Sequence, residues 1–356
     1  MSKNAPFKNI AVIGAGTMGS GIAGQIANSE QEVLLLDIPG ETPNSITEDA
    51  VKKLIRSDPP ALMHKNKANL IKVGNIRDDF NKLANCDLII EAVVERLDIK
   101  KDLYNRINNI VNSKCVITSN TSTIPIKLLV EDMPQSFRER FAITHYFNPV
   151  RFMRLLELVR GEHTKSEIIK KLADYNDRIL GKGVVACNDT PGFLGNRVGV
   201  YALQVGMDEA YKLNLTVEEA DSLMGRPMGI PKTGIFGLYD LIGIDLMSDV
   251  VDTLGTILPD SDDFHKVGAS NIPTAELIKK MIDEGFTGNK GKGGFYRLDE
   301  KENEFYLDIY NNKTIQKSTQ LNEKAKVSAE RLEKGKETLF HLIKNNSNDI
   351  QEKKYT

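Results

Sequence analysis

The run Lys8-Asn-Ile-Ala-Val-Ile13 leads straight into Gly14-Ala-Gly16-Thr-Met-Gly19, and this junction restricts the fold more than any other stretch of the chain. An apolar run stopped by a G-x-G-x-x-G turn, then a helix-forming stretch from Ser20 to Asn28, is the strand, turn and helix order that dinucleotide binding needs. Gly14 permits the tight turn, Gly16 lets the backbone approach a pyrophosphate, and Gly19 lets helix and strand pack closely. Free N–H groups at the helix start, where Thr17 and Met18 stand, then meet the phosphates. The glycine pattern alone could serve packing only. Here, however, a second apolar run, Glu32-Val-Leu-Leu-Leu36, ends at Asp37. A carboxylate there can accept both ribose hydroxyls and would repel a 2′-phosphate, so NAD is expected rather than NADP.

From Pro39 to Gly74 the chain is polar and helix-forming, broken at Asp58-Pro-Pro60 into Ile46 to Arg56 and about Ala61 to Lys72. The cations of this insert (Lys52, Lys53, Arg56, Lys65, Lys67 and Lys72) read as solvated helix faces, with a clamp for an anionic ligand as the alternative. Alternation then resumes. Asp87 to Ile90, Cys115 to Thr118 and Phe141 to Thr144 read as strands, with helices over Ile99 to Val111 and Ile126 to Glu131 between them. Repeated alternation implies parallel strands with right-handed crossovers, an α/β fold built on a Rossmann-type doubly wound parallel sheet. Its carboxyl edge would collect the glycine turn, Asp37, Glu91 to Glu95, Ser119-Asn-Thr-Ser122 and His145. Each of these polar residues could equally be a cap or a turn; their convergence on one edge is what points to a site.

Beyond Gly183-Val-Val-Ala-Cys187, a last strand, the apolar spacing is helical throughout. The expected organisation is a nucleotide domain over 1–188, an all-helical second domain over 189–298 whose first long helix begins at Asp189 to Arg197, and a charged helical extension over 299–356. In that extension Leu321, Ala325, Leu332, Leu339 and Leu342 form a sparse apolar stripe, and residues 345–356 look disordered. The glycine-dense segment 285–298 lacks the order of a phosphate loop and reads as a structural turn. A net charge of −2 gives no bulk attraction to nucleic acid or to an anionic membrane. Cys86, Cys115 and Cys187 stand far apart and read as free thiols; no metal is expected. The first residues lack the apolar core of a secretory signal, and no stretch is apolar enough to span a bilayer, so the expected compartment is the cytoplasm.

The stretch His145-Tyr-Phe-Asn148-Pro-Val-Arg-Phe-Met-Arg-Leu-Leu-Glu157 carries the chemistry that composition does not. If the apolar runs on either side of Asn148-Pro149 are neighbouring strands, Glu157 can return against His145. A carboxylate there would fix the ring tautomer while the other nitrogen exchanges a proton. The commoner arrangement is a buried histidine satisfied by a carbonyl, with an unrelated glutamate.

Several ordered motifs, running from about Phe7 to Leu298, resemble the NAD-dependent L-3-hydroxyacyl-CoA dehydrogenase family of fatty acid β-oxidation. They are Ile13 to Gly21, Asp87 to Glu95, Ser119 to Ser122, His145 to Val150, Asp189 to Phe193 with Asn196-Arg197, Pro227 to Gly229 with Gly237 to Asp245, and Lys292 to Tyr296. The resemblance implies oxidation of an acyl-CoA thioester at C3, with His145 as catalytic base and Glu157 as its orienting partner. It implies that Ser122 and Asn196 hold the substrate oxygen and that Glu95, Lys100, Ser122 and Asn148 contact the cofactor. It also implies a possible homodimer through the helical domain, or association with other β-oxidation modules. The segment Ile230 to Ile235 and the extension after Leu298 look like the dehydrogenase part of fused β-oxidation proteins, but no hydratase sequence is present. Dehydrogenases that use a lysine base on the interdomain helix fit less well, because here the pair is His145 and Glu157. A non-catalytic NAD-binding protein predicts a degraded catalytic set, whereas His145, Glu157, Ser122 and Asn196 are all present.

Overall fold

A computed structural model describes residues 5–229, 232–267, 273–298, 304–311 and 313–316, with short helical pieces at 329–331 and 333–334. The chain divides into two compact units, residues 1–196 and 197–356. The first is organised around an eight-stranded sheet: β1 Ile10–Ile13, β2 Val33–Asp37, β3 Ile71–Asn75, β4 Leu88–Glu91, β5 Val116–Ser119, β6 Phe141–Tyr146, β7 Leu155–Arg160 and β8 Gly183–Cys187, in the order β3-β2-β1-β4-β5-β6-β7-β8. Strands β1 to β6 run parallel; β7 pairs antiparallel with β6, and β8 runs parallel to β7.

The sheet is covered on both faces, which is why its central strands are apolar runs rather than alternating ones. Val12, Leu35, Ile90 and Leu156 point to one layer, with Ile22 and Ile26 of helix α1 (Thr17–Asn28). Ala11, Ile13, Ile89 and Ile143 point to the other, with Leu103 and Ile107 of helix α3 (Leu97–Asn108). Helix α2 (Ser45–Arg56) covers the outer part of the first layer through Ala50 and Leu54. Strand order reverses between β1 and β4, the place where the carboxyl ends of a doubly wound sheet leave a crevice.

Three expectations need correction. The stretch from Ala61 to Lys72 is not a helix; a 3₁₀ turn over Lys65–Leu70 leads into edge strand β3, because Ile71 to Asn75 find parallel partners in Val33 to Asp37. The helix expected near Asp189 starts only at Gly195 and runs to Lys212. The Asp189 carboxylate instead accepts the N–H groups of Ile126 (2.8 Å) and Lys127 (3.2 Å), and Gly192 and Phe193 turn the chain at positive φ.

The third correction concerns the second unit, which is helical but not all-helical. Helices Gly195–Lys212, Val217–Leu223, Phe236–Ile242, Ile244–Ile257 and Pro273–Asp283 are joined by a three-stranded antiparallel sheet of β9 (Tyr296–Leu298), β10 (Glu304–Asp308) and β11 (Lys313–Gln316). Two of those strands lie in the extension expected to be helical. Tyr306 and Leu307, consecutive in β10, both enter the core of this unit, and the Leu307 N–H bonds the Phe295 carbonyl at 2.7 Å. The turn rich in glycine is folded onto Asp240, whose carboxylate accepts the N–H groups of Phe295 (2.9 Å) and Tyr296 (2.8 Å). The apolar stripe of Leu321 to Leu342 and the end at 345–356 lie outside the described residues.

Leu307 is 1% exposed. Leu307→Ala should therefore cost about 3 kcal/mol, read as a lower denaturant midpoint for the second unit; an unchanged midpoint would mean that β10 does not belong to this core.

Candidate active site

The glycine turn is built as nucleotide binding requires. Gly14 has φ +103°, and a Cβ there would stand 2.3 Å from the Ala92 carbonyl oxygen; one on Gly19 would stand 1.8 Å from the Gly14 oxygen. At Gly16 no heavy atom lies within 4 Å of a built Cβ, so the turn is open on the side a pyrophosphate would approach. Asp37, at the end of β2, accepts the Ala15 N–H and so ties the turn to the neighbouring strand. A cavity of about 680 Å³ extends from Gly16, Thr17 and Asp37 to Lys53 of α2, with the Asn148 to Phe152 turn as another wall. Asn148 is exposed on that wall. The residues present fit a bound dinucleotide: an open turn, a helix start and an acid at the second strand.

At the switch point lies a buried charge cluster. Glu91 ends β4 at 0% exposure, and its carboxylate accepts from Lys100 (2.7 Å), the Val93 N–H (2.8 Å), the Tyr104 hydroxyl (2.6 Å) and the Ser119 hydroxyl (2.7 Å). Lys100 also reaches Glu95 at 3.3 Å. Glu95 in turn accepts from the hydroxyls of Thr121 and Thr123 and, at 3.3 Å, from the Ser122 N–H. Burial resists ionisation of Glu95, but the Lys100 charge and these hydrogen bonds outweigh it and hold its carboxyl below the ordinary range. Lys100 was expected to touch the cofactor, yet its side chain is 1% exposed against 39% for Glu95. Its ammonium is held between two carboxylates, and Glu95 is the member of the pair that can offer an oxygen to a ligand.

The third group is the His145 pair. Strands β6 and β7 place His145 directly opposite Glu157, and Nδ1 lies 2.6 Å from Glu157 Oε2. Glu157 is fully buried, and its second oxygen accepts the N–H groups of Leu194 (2.9 Å) and Gly195 (2.6 Å), with the Cys187 thiol at 3.7 Å. Burial opposes ionisation of this carboxyl. The His145 bond and the Gly195 and Leu194 bonds prevail and hold it below its usual range. An ionised acid on Nδ1 puts the ring proton there and leaves Nε2 with its lone pair. The imidazole is packed beside the rings of Phe147 (centroids 4.5 Å apart) and Phe193 (5.9 Å).

The same helix start that donates to Glu157 carries Asn196 as its second residue, half-buried, rather than one turn inside. Ser122 sits half-buried on the loop after β5, which is tied to β6 where the Tyr146 N–H bonds Asn120 at 2.9 Å. Sequence reasoning placed Glu91 on the edge without seeing that it anchors the cluster. An acid closing a fully apolar strand was the available signal.

Residues 9–190 match the family described as 3-hydroxyacyl-CoA dehydrogenase, NAD binding domain, and residues 192–298 match the 3-hydroxyacyl-CoA dehydrogenase C-terminal domain. The chain belongs to the 3-hydroxyacyl-CoA dehydrogenase family. NAD is accordingly the cofactor of its nucleotide fold. Among relatives of this family, a putative fatty acid oxidation complex trifunctional enzyme of Rickettsia prowazekii is 42% identical over 308 residues, covering 86% of this chain and 42% of that protein. A probable 3-hydroxyacyl-CoA dehydrogenase of Deinococcus radiodurans is 38% identical over 83% of this chain and 84% of its own length. The crystal structure of (S)-3-hydroxybutyryl-CoA dehydrogenase PaaH1 from Ralstonia eutropha superposes with a TM-score of 0.66 at 28% identity, over 80% of this chain and 96% of that one. The chain thus spans less than half the length of the Rickettsia relative. Among the described residues no helix is long and apolar enough to cross a membrane, and the three cysteines are free thiols.

A carboxyl held below its ordinary value stabilises the fold above pH 4.5, and that contribution is lost as pH falls through its native value. Glu157→Gln should therefore melt below the wild type at neutral pH, with the gap closing under acid conditions. A gap that stays constant on acidification would show that Glu157 is not held ionised by its donors.

Proposed function

We propose that the chain catalyses the reversible oxidation of (S)-3-hydroxyacyl-CoA thioesters to 3-ketoacyl-CoA. The observation that carries this reading is the His145–Glu157 contact of 2.6 Å on a sheet whose carboxyl edge is built for NAD. Bound NAD supplies the hydride acceptor. In the neutral ring Glu157 holds the proton on Nδ1, so His145 Nε2 presents its lone pair and takes the proton of the 3-hydroxyl; Glu157 then stabilises the imidazolium that results. The rings of Phe147 and Phe193 flank the imidazole.

Ser122 and Asn196 bind the substrate oxygen, each from a segment whose backbone is fixed by an acid: Ser122 through Glu95, and Asn196 through the helix start that holds Glu157. Gly14, Gly16, Thr17, Met18 and Gly19 cradle the pyrophosphate, Asp37 takes the ribose hydroxyls, and Glu95, Ser122 and Asn148 face the rest of the cofactor, with Lys100 acting through Glu95. The substrate's CoA thioester and the fatty acid setting follow from the names of the relatives. Pairing of two copies through the helical unit, or association with further β-oxidation modules, and residence in the cytoplasm complete the reading.

General acid–base catalysis by one side chain is worth about 10²–10⁴ in rate. With acetoacetyl-CoA and longer 3-ketoacyl-CoAs, the wild type should oxidise NADH. His145→Gln should lose at least about 10²-fold in kcat while keeping its affinity for NADH; near-normal turnover in that variant would remove His145 from the mechanism.

A further inference from the structure

Lys182 has no place in the chemistry just described, yet it is 2% exposed. Its ammonium donates to the main-chain carbonyls of Val150 and, at 3.1 Å, Met153. Both carbonyls belong to the turn that joins β6 to β7, and so joins His145 to Glu157. The lysine is itself held firmly: its N–H bonds the Asn176 carbonyl at 2.9 Å, and the next N–H, of Gly183, bonds the Arg154 carbonyl at 2.7 Å. The turn is fixed from two further directions. Val150 packs so closely on α1 that its Cγ2 would stand 2.9 Å from a Cβ on Gly21, and the Arg151 guanidinium donates to the carbonyls of Pro60 (2.6 Å) and Leu62 (3.3 Å). Residues Asn148 to Phe152 of this same turn form a wall of the cavity that reaches Gly16 and Thr17.

Burial lowers the Lys182 ammonium to about 8, with no charged group contributing to the shift. The ionisable neighbours do not neutralise it. On the turn, Arg151 bonds carbonyls and Arg154 is exposed; on the helical segment before β8, Asp174 pairs with Arg178 at 2.8 Å, and Asp177 is exposed. Tyr146 and Tyr175, also buried here, bond Asn176 and Gln31. From α1, Gln25 offers only an amide, to the Leu180 carbonyl at 2.8 Å. A lone cation bonded to neutral carbonyls costs the fold more than an apolar side chain of the same length would, so stability does not account for its presence.

We propose that Lys182 is a positioning residue for nucleotide binding, holding the 148–153 turn in the shape that NAD meets. The proposal rests on the reading of Asn148 and its turn as part of the cofactor site. An ammonium has three protons to share among the carbonyls, whereas the neutral amine has two and presents a lone pair to them. The hold therefore weakens as pH rises past 8. Cys86 and Cys115, pushed up to about 12, and Cys187, at about 11, stay protonated in that range.

The test is NADH titration by fluorescence at about pH 7 and about pH 9.5, on either side of the Lys182 transition. Loss of a charge-assisted hydrogen bond corresponds to roughly a tenfold change in Kd. Wild-type affinity should fall several-fold between the two pH values. Lys182→Arg, charged throughout, should hold neutral-pH affinity at both, and Lys182→Met should be about tenfold weaker at neutral pH and insensitive to the change. A flat wild-type profile, or the same profile in Lys182→Arg, would overturn the proposal. Should Lys182→Met fail to fold, wild type against Lys182→Arg at high pH still decides. The titration needs no turnover, so a chain inactive on acetoacetyl-CoA would sink the proposed activity and leave this result standing.

Discussion

A carboxylate with no exposure to water, Glu157, ties together a strand pair and the start of a helix. It accepts from His145 across a strand pair and from two N–H groups at the start of the Gly195–Lys212 helix. Removing either partner from a buried charged contact leaves the other uncompensated, at a cost of about 3–5 kcal/mol. The carboxylate that fixes the imidazole tautomer therefore also fixes where the chain leaves the sheet and where the helix carrying Asn196 begins. The orientation of the imidazole and the fold of this corner are one set of bonds.

Glu91 does comparable work at the point where the strand order reverses. With Lys100, Tyr104, Ser119 and the Val93 N–H around it, every side of the carboxylate is satisfied, which is what allows an acid to sit beneath the nucleotide edge. Lys100 passes that order on to Glu95, and Glu95 passes it to the loop carrying Ser122. The two clusters share a design: a buried acid saturated by donors, with a candidate site residue one bond further out. A site built this way has its side chains oriented before any ligand arrives, so little ordering is left for binding to supply.

The parts legible in the sequence were those governed by local rules. The glycine turn could be read because Gly14 and Gly19 meet backbone atoms at distances no side chain allows, a constraint that leaves glycine as the residue. The His145–Glu157 pairing could be anticipated because a hairpin of two apolar runs around Asn148-Pro149 makes the two residues cross-strand neighbours. Where partners are remote, local reading failed. Ile71 to Asn75 looked like the end of a helix until β2 supplied a parallel edge, and Phe305 to Asp308 looked like charged helix until the core of the second unit accepted Leu307. Lys100 was expected at the cofactor because of the family resemblance, which carries no information about the two acids that enclose it here.

By itself the sequence determined the strand, turn and helix of a nucleotide fold, the acid at the second strand, the family, and which imidazole and carboxylate to suspect. These follow from spacing along the chain, which period and turn chemistry translate directly into geometry. Tertiary structure alone decided that Glu157 is saturated by donors from residues 194 and 195, that Lys100 is enclosed rather than presented, and that Lys182 is buried against the turn between the paired strands. Burial and hydrogen-bond satisfaction depend on atoms brought together from distant parts of the chain, and no local pattern encodes them.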